Sequence, residues 1–395
     1  MQAVILSAPR RISVGHVDEP GLQKPTDVIL EVTSTAICGT DLHIYEGRLS
    51  DANPMVIGHE PLGIVREAGA DVVNVRVGDR VTVPTHICCG FCVNCVHGYS
   101  AQCLTNNPGK AGAAYGYPGM GGYMGAQAEL LRVPFADANC LRLPGEPRDE
   151  WEHDFVLLAD ALPTAYHATE LAGVRYGDVV VIYGAGAIGL LSVMCSFMRG
   201  AAQVFVVDAI PERLEKAGEL GAVPVDMRDG HAADRILEQI ARERRGVAWR
   251  SEEANLGATV CIDAIGFQAR DPLNYEVENP SSVISDLARV VAVNGRLAII
   301  GVFLDSDPHA LAEPATKGVY PIPWGTLFKK GVIVGMGRDD DKRYNDHLRD
   351  MIVCGRIKPS KIVSHRLPLR DAPDAFVKFD ARTDGYIKIV LDPGA

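Results

Sequence analysis

Gly184, Gly186 and Gly189 stand in G-x-G-x-x-G spacing directly after the apolar run VVVIY, and Asp208 closes the next apolar run, QVFVVD, nineteen residues beyond the last glycine. No other feature restricts the fold as much. Between a buried strand and a helix, the first glycine allows a tight turn and the second lets a pyrophosphate approach the backbone. The third lets helix and strand pack closely. The helix opening at Ala187 and Ile188 presents unpaired N–H groups to phosphates. Asp208 is placed to accept hydrogen bonds from an adenosine ribose and to repel a 2′-phosphate, which favours NAD over NADP. Arg213, five residues on, is a cofactor-binding candidate that could work against this preference. Read as an ordinary strand-turn-helix, the same segment would use Asp208 only as a cap. Val179 to Met198 carries no charge over twenty residues, long enough to cross a bilayer, but the glycine spacing divides it into a strand and a helix.

Around this turn strand and helix patterns alternate: VVVIYG, a helix to about Arg199, QVFVVD, a helix PERLEKAGEL, VPVD, ATVCID, GRLAIIG and GVIVG. They predict a doubly wound parallel sheet. From about Asp27 to Val83 the pieces are short, β-rich and punctuated by turns, which predicts a separate β domain. The tail from about Arg338 ends in a strand, YIKIVLD, that can rejoin it.

Ten cysteines in 395 residues are too sparse for a disulfide scaffold. Cys89, Cys92, Cys95 and Cys103 read C-x2-C-x2-C-x7-C, a spacing that lets four thiolates converge on one tetrahedral ion. A bacterial iron–sulfur pattern opens the same way, but places its fourth cysteine after three residues and before Pro. Here it follows seven and precedes Leu104, which favours zinc. A site closed by four protein ligands has a structural role. Cys88 is left outside the set. The segment from Pro84 to Asn107 contains no Lys or Arg, and 39 basic residues against 50 acidic leave a net charge of −11. Nucleic acid and anionic membrane surfaces are therefore not expected partners. The N-terminus has no signal-peptide pattern, and a cytoplasmic location is expected.

Taken together, CGTDLH, GHEPLGIV, VGDRV, the four-cysteine loop, GAGAIG with Asp208, and the closing IKIVL resemble the zinc-dependent medium-chain alcohol dehydrogenases over essentially the whole chain. Through NPGKAGAAYGYPGMGGYMGAQAELLRVPFADAN and ADALPTAYHA it looks most similar to the glutathione-independent formaldehyde dehydrogenase branch. The resemblance implies an α/β protein: a GroES-like, β-rich catalytic domain over 1–161 and 338–395, and a Rossmann NAD-binding domain over 162–337. It implies Cys38, His59 and Asp160 as ligands of a catalytic zinc, with Glu60 a transient ligand. Aspartate departs from the cysteine that most of the family has at the third position, but agrees with the formaldehyde branch and leaves the ligand charge at −2. Thr40 and His43 match the family's proton relay, and Lys388 its basic residue for the cofactor phosphates. The implied activity is hydride transfer between a small alcohol or aldehyde hydrate and NAD, with two zinc ions per chain, in a homo-oligomer of two or four subunits. A non-catalytic binder of NAD and zinc on the same fold is the alternative. The connection GFQARDPLNYEVENPSS after Asp263 is longer than α/β units use. It is either a surface insertion or, as the branch implies, a cover over the adenine end that retains NAD.

Overall fold

The structure, a computed structural model, describes residues 1–49, 54–243, 256–272 and 274–395. The chain divides into two compact units, Met1–Thr164 with Asp339–Ala395, and Ala165–Arg338.

The second unit is built on a six-stranded sheet in which every pairing is parallel. Its order is Val223–Asp226, Gln203–Asp208, Val179–Tyr183, Ala258–Asp263, Val291–Ile299, Ile333–Met336. Val179–Tyr183 is buried at every position, which is why its sequence is continuously apolar rather than alternating. The order reverses between Val179–Tyr183 and Ala258–Asp263, and such sheets bind ligands in the crevice beyond the carboxyl ends at that reversal. The charge-free stretch is the strand Val179–Tyr183 followed by the helix Ala187–Met198, and no described helix is long and apolar enough to cross a membrane.

One strand differs from its sequence reading. The run expected to begin at Gly295 begins at Val291, because Asn294-Gly295, which reads as a turn, is an irregularity inside the strand: Asn294 has φ 58° and the register shifts there. The long connection after Asp263 folds on itself. It makes one turn over Gly266–Gln268, a bridge between Arg270 and Glu278, and a bond from Asp271 N–H to the Val277 carbonyl at 2.9 Å.

In the first unit a seven-stranded sheet runs His365–Pro368, Ile389–Asp392, Val28–Ile37, Pro61–Ala68, Arg80–Thr82, Leu141–Arg142, with Leu130–Val133 paired onto Val28–Ile37. The closing strand therefore rejoins the first unit, antiparallel to Val28–Ile37 with Ile389 opposite Ile37. A three-stranded sheet, Arg11–His16, Gln2–Ala8, Met55–Val56, completes it.

Candidate active site and metal centres

Sheet register assembles one cluster. Val28–Ile37 runs straight into Cys38, the N-cap of the helix Gly39–Tyr45. Its antiparallel neighbour pairs Pro61 with Thr35, so His59 and Glu60 arrive beside it, and the Ala36 N–H donates to the Glu60 carbonyl at 3.3 Å. Asp160 ends the helical turn Val156–Ala159. Thr85 ties these segments together: its hydroxyl donates to the His59 carbonyl at 3.1 Å and its N–H to the Ala159 carbonyl at 2.9 Å. Cys38, His59, Glu60 and Asp160, all buried, thus bring four ligand atoms within 4.8 Å of one another. Asp160 Oδ2 lies 3.4 Å from Cys38 Sγ and 3.3 Å from His59 Nε2, while its Oδ1 accepts from the Thr164 hydroxyl at 3.0 Å.

Without a cation this arrangement is strained electrostatically. Burial, with the adjacent Asp160 charge, pushes the Cys38 thiol up. Burial opposes the charged imidazole of His59, yet Tyr117, Asp41 and Asp160 hold its pKa well above the ordinary value. Burial raises Glu60 to about 7 in spite of Lys388. His59 Nε2 and Glu60 Oε1 are buried without a hydrogen bond. A divalent cation among these groups removes the repulsion and uses the unbonded lone pairs, so the donor set fits a zinc ion.

Two supports of this cluster escape sequence reading. Asp41, fully buried, places Oδ1 3.1 Å from His59 Nδ1 and accepts through Oδ2 from the Cys38 N–H at 3.0 Å and the Gln127 amide at 3.1 Å. A carboxylate on the far nitrogen of a ligating histidine fixes which nitrogen faces the metal. The signal was present in CGTDLH: an acid in the first turn of a helix whose N-cap is the cysteine. The second is Lys388, 1% exposed, which pairs through Nζ with Glu60 Oε2 and donates to the Ile37 carbonyl at 3.2 Å. The register explains this placement, since one step beyond the Ile389–Ile37 pair sets Lys388 opposite Cys38. The expectation of a lysine aimed at cofactor phosphates is revised accordingly: the structure places it in the interior on Glu60. Thr40 Oγ1 is 3.6 Å from Cys38 Sγ, and His43 is buried one turn later on the same helix.

The four cysteines form the second set. Cys89, Cys92, Cys95 and Cys103 also place their sulfurs within 4.8 Å of one another, with Cys92 and Cys95 3.4 Å apart. Polar hydrogens point at the sulfurs: Cys92 N–H and the Thr105 hydroxyl donate to Cys89 Sγ at 3.3 and 3.2 Å, and Leu104 N–H to Cys92 Sγ at 3.5 Å. Against the effect of burial, such bonds bring the Cys92 thiol down to about 6. Burial raises Cys95 and Cys103 in spite of such bonds, so within this set the donors favour the thiolate, the form that binds metal, at Cys92. Cys88 stays outside, its sulfur 3.8 Å from the Ala138 carbonyl.

In the second unit Gly184 has φ 100°, and a Cβ on Gly189 would come within 1.8 Å of the Gly184 carbonyl oxygen, so both positions require glycine. Gly186 opens the helix that begins Ala187, Ile188. Asp208, 7% exposed, accepts from Ala185 N–H at 2.7 Å through Oδ2 and from Ala209 and Ile210 N–H at 2.7 and 2.9 Å through Oδ1. It therefore braces the turn itself. A Cβ on Gly186 would meet Arg213 Nη1 at 4.0 Å, which puts that guanidinium against the turn.

Residues 24–145 match the alcohol dehydrogenase GroES-like domain. The chain is 36% identical to a glutathione-independent formaldehyde dehydrogenase of Pseudomonas aeruginosa, over 99% of this chain and 97% of that protein. It is 33% identical to a formaldehyde dismutase of Pseudomonas putida, again over 99% and 97%. Among solved structures it superposes on alcohol dehydrogenase TADH from Thermus sp. ATN1 with a TM-score of 0.82 and 31% identity, covering 99% of both chains. With the two ligand sets and the glycine turn in place, these likenesses show that the chain belongs to the zinc-dependent medium-chain alcohol dehydrogenases, oxidoreductases that act on CH–OH groups with a nicotinamide cofactor.

Proposed function

We propose that the chain transfers hydride between formaldehyde, or a similarly small aldehyde or alcohol, and NAD, and that it holds two zinc ions. One sits at Cys38, His59 and Asp160, the other at Cys89, Cys92, Cys95 and Cys103. The observation that carries this reading is the meeting of a thiol, an imidazole and a carboxylate from three remote segments in one buried cluster. The relatives named for formaldehyde support the substrate class.

When bound, zinc supplies Lewis acidity to a hydroxyl oxygen and the nicotinamide exchanges the hydride. The protein's groups do the rest. A thiolate, a neutral imidazole and a carboxylate sum to −2 and leave one of four positions to substrate. Asp41 orients His59, and Thr164 holds Asp160 Oδ1 so that Oδ2 faces the cluster. Thr40 would take the hydroxyl proton of the alcohol or aldehyde hydrate and His43 would carry it outward. Glu60 keeps Oε1 for transient ligation, and Lys388, paired with Oε2, neutralises its charge between such contacts. In the second unit Gly184, Gly186 and Gly189 admit the pyrophosphate and Asp208 selects NAD; its bonds to the turn give way in part to ribose hydroxyls. The edge strand Ile333–Met336, with Ile333 and Met336 exposed, supports pairing with a second copy.

A substrate screen at 340 nm absorbance, formaldehyde against longer alcohols and aldehydes with NAD and with NADP, tests this reading. Turnover on formaldehyde with NAD, at a kcat/KM at least about tenfold above NADP, is expected, about 1.4 kcal/mol. Equal use of NADP would remove the role given to Asp208. No turnover of any substrate by zinc-replete protein would leave a binder without catalysis. NAD(H) released in stoichiometric amount on denaturation would assign the connection after Asp263 to cofactor retention.

A further inference from the structure

His86, Asp339 and Asp341 form a cluster that belongs to neither zinc set. They bring one ring nitrogen and two carboxylate oxygens within 4.8 Å of one another, all three buried. His86 directly follows Thr85, the residue that ties the His59 and Asp160 segments together. Asp341 opens the helix Asp341–Val353, and Asp339 lies just before it. His86 Nδ1 is 2.9 Å from Asp341 Oδ2, which also accepts from the His86 N–H at 3.4 Å.

The rest of the cluster is short of donors. Among the described residues, Asp341 Oδ1 and Asp339 Oδ2 are buried with no hydrogen-bond partner, in residues 1% and 4% exposed. Asp340 between them turns elsewhere and accepts from the Ala101 N–H at 2.9 Å. One helical turn beyond Asp341, on the same face, Asn345 is fully buried, and neither its Oδ1 nor its Nδ2 is bonded among the described residues. Buried carboxylate oxygens without donors are costly, and two side by side repel. Burial and the Asp341 charge raise Asp339 well above the carboxylate range, the His86 imidazole acting in the opposite sense. The three ligand atoms of this set meet the same 4.8 Å limit as those of the catalytic cluster.

We propose that His86, Asp339 and Asp341 are a third metal site, binding one divalent cation beside the catalytic cluster. One imidazole and two carboxylates suit Zn²⁺ or Mn²⁺, and with a neutral imidazole the site's −2 balances the ion. Asn345, buried one turn along the same helix, would supply a further oxygen. The site stands independently of the substrate reading, because it is read by metal content and not by turnover.

The test uses the full, zinc-replete enzyme. Zinc is counted first, and Mn²⁺ is then titrated with free ion followed by electron paramagnetic resonance. The expected result is three metal equivalents per chain, either as a third zinc or as two zincs and one Mn²⁺. In Asp339→Asn and Asp341→Asn the third equivalent disappears while two zincs remain. Wild-type enzyme that holds two zincs and takes up no Mn²⁺ overturns the site, and points to a proton shared between the two carboxyls instead. Uptake undiminished in both variants also overturns it. The wild-type titration stands alone if either variant fails to fold.

Discussion

The four-cysteine loop and the Cys38 cluster both gather donors that fit a zinc ion, yet they are built in opposite ways. The loop draws its ligands from fifteen consecutive residues, uses one kind of donor, and lets local N–H groups stabilise the sulfurs. The Cys38 cluster spans more than a hundred residues, mixes three donor types, and rests on buried carboxylates and a buried lysine. Ligands held by local backbone fill every position and give a rigid, closed ion. Ligands delivered by separate strand ends leave a gap, and the gap is what a substrate needs.

The widest separation between the two sites should appear in turnover. Asp160→Ala removes a carboxylate that meets Cys38, His59 and the neighbouring Thr164. The expected loss in kcat is at least about a thousandfold, roughly 4 kcal/mol, with melting temperature and NAD binding little changed. Retention of more than about a tenth of kcat, within roughly 1.4 kcal/mol of wild type, would erase the distinction and make Glu60 the candidate ligand. Cys103→Ser should do the reverse. It should lower zinc content by one ion and stability by about 3 kcal/mol, since structural zinc contributes directly to folding, and affect kcat only through the folded fraction. Elemental analysis alongside thermal unfolding checks it, and an unchanged metal count would remove Cys103 from the set.

The same contrast explains what could be read from sequence. The cysteine loop and the glycine turn are legible because their geometry is encoded in spacing. Strands such as Ala258–Asp263 were legible because both faces are buried. The Cys38 cluster became readable only through family resemblance, for nothing in ICGTDLH, IGHE or LLADALP announces that they meet. The Lys388–Glu60 pair, 328 residues apart, depends on the register of two strands and leaves no mark in either segment. The strand that begins at Val291 was legible only from Gly295 on, because the sheet pairing that carries it through Asn294 leaves no mark in the local sequence.

Asp41→Asn measures how far the open site depends on its surroundings. The variant keeps shape but weakens the charge facing His59 Nδ1, and zinc affinity at the Cys38 site should fall about 10- to 100-fold, roughly 1.4 to 2.7 kcal/mol. In a chelator competition series one zinc should leave early and the second should follow the wild-type curve. Loss of both in parallel would mean that Asp41 supports the first unit as a whole rather than the cluster.

The smallest effect is expected one residue from the closed site. Cys88 is adjacent to Cys89 in sequence and just as buried, so proximity alone would make it a ligand. Its surroundings say otherwise. Asn139 holds its backbone on both sides, taking the Cys88 N–H at 3.0 Å and donating to its carbonyl at 2.8 Å, and this directs the sulfur toward the Ala138 carbonyl. Burial lifts its thiol to about 11, with Lys342 only partly opposing it, but burial raises Cys95 and Cys103 as well, so it is the direction of the sulfur that sets Cys88 apart. Cys88→Ala should therefore leave zinc content and kcat unchanged and cost about 1 kcal/mol or less, the loss of one small buried group. Zinc loss in this variant, with zinc retained in Cys89→Ser, would show that the loop uses a different four of its five cysteines.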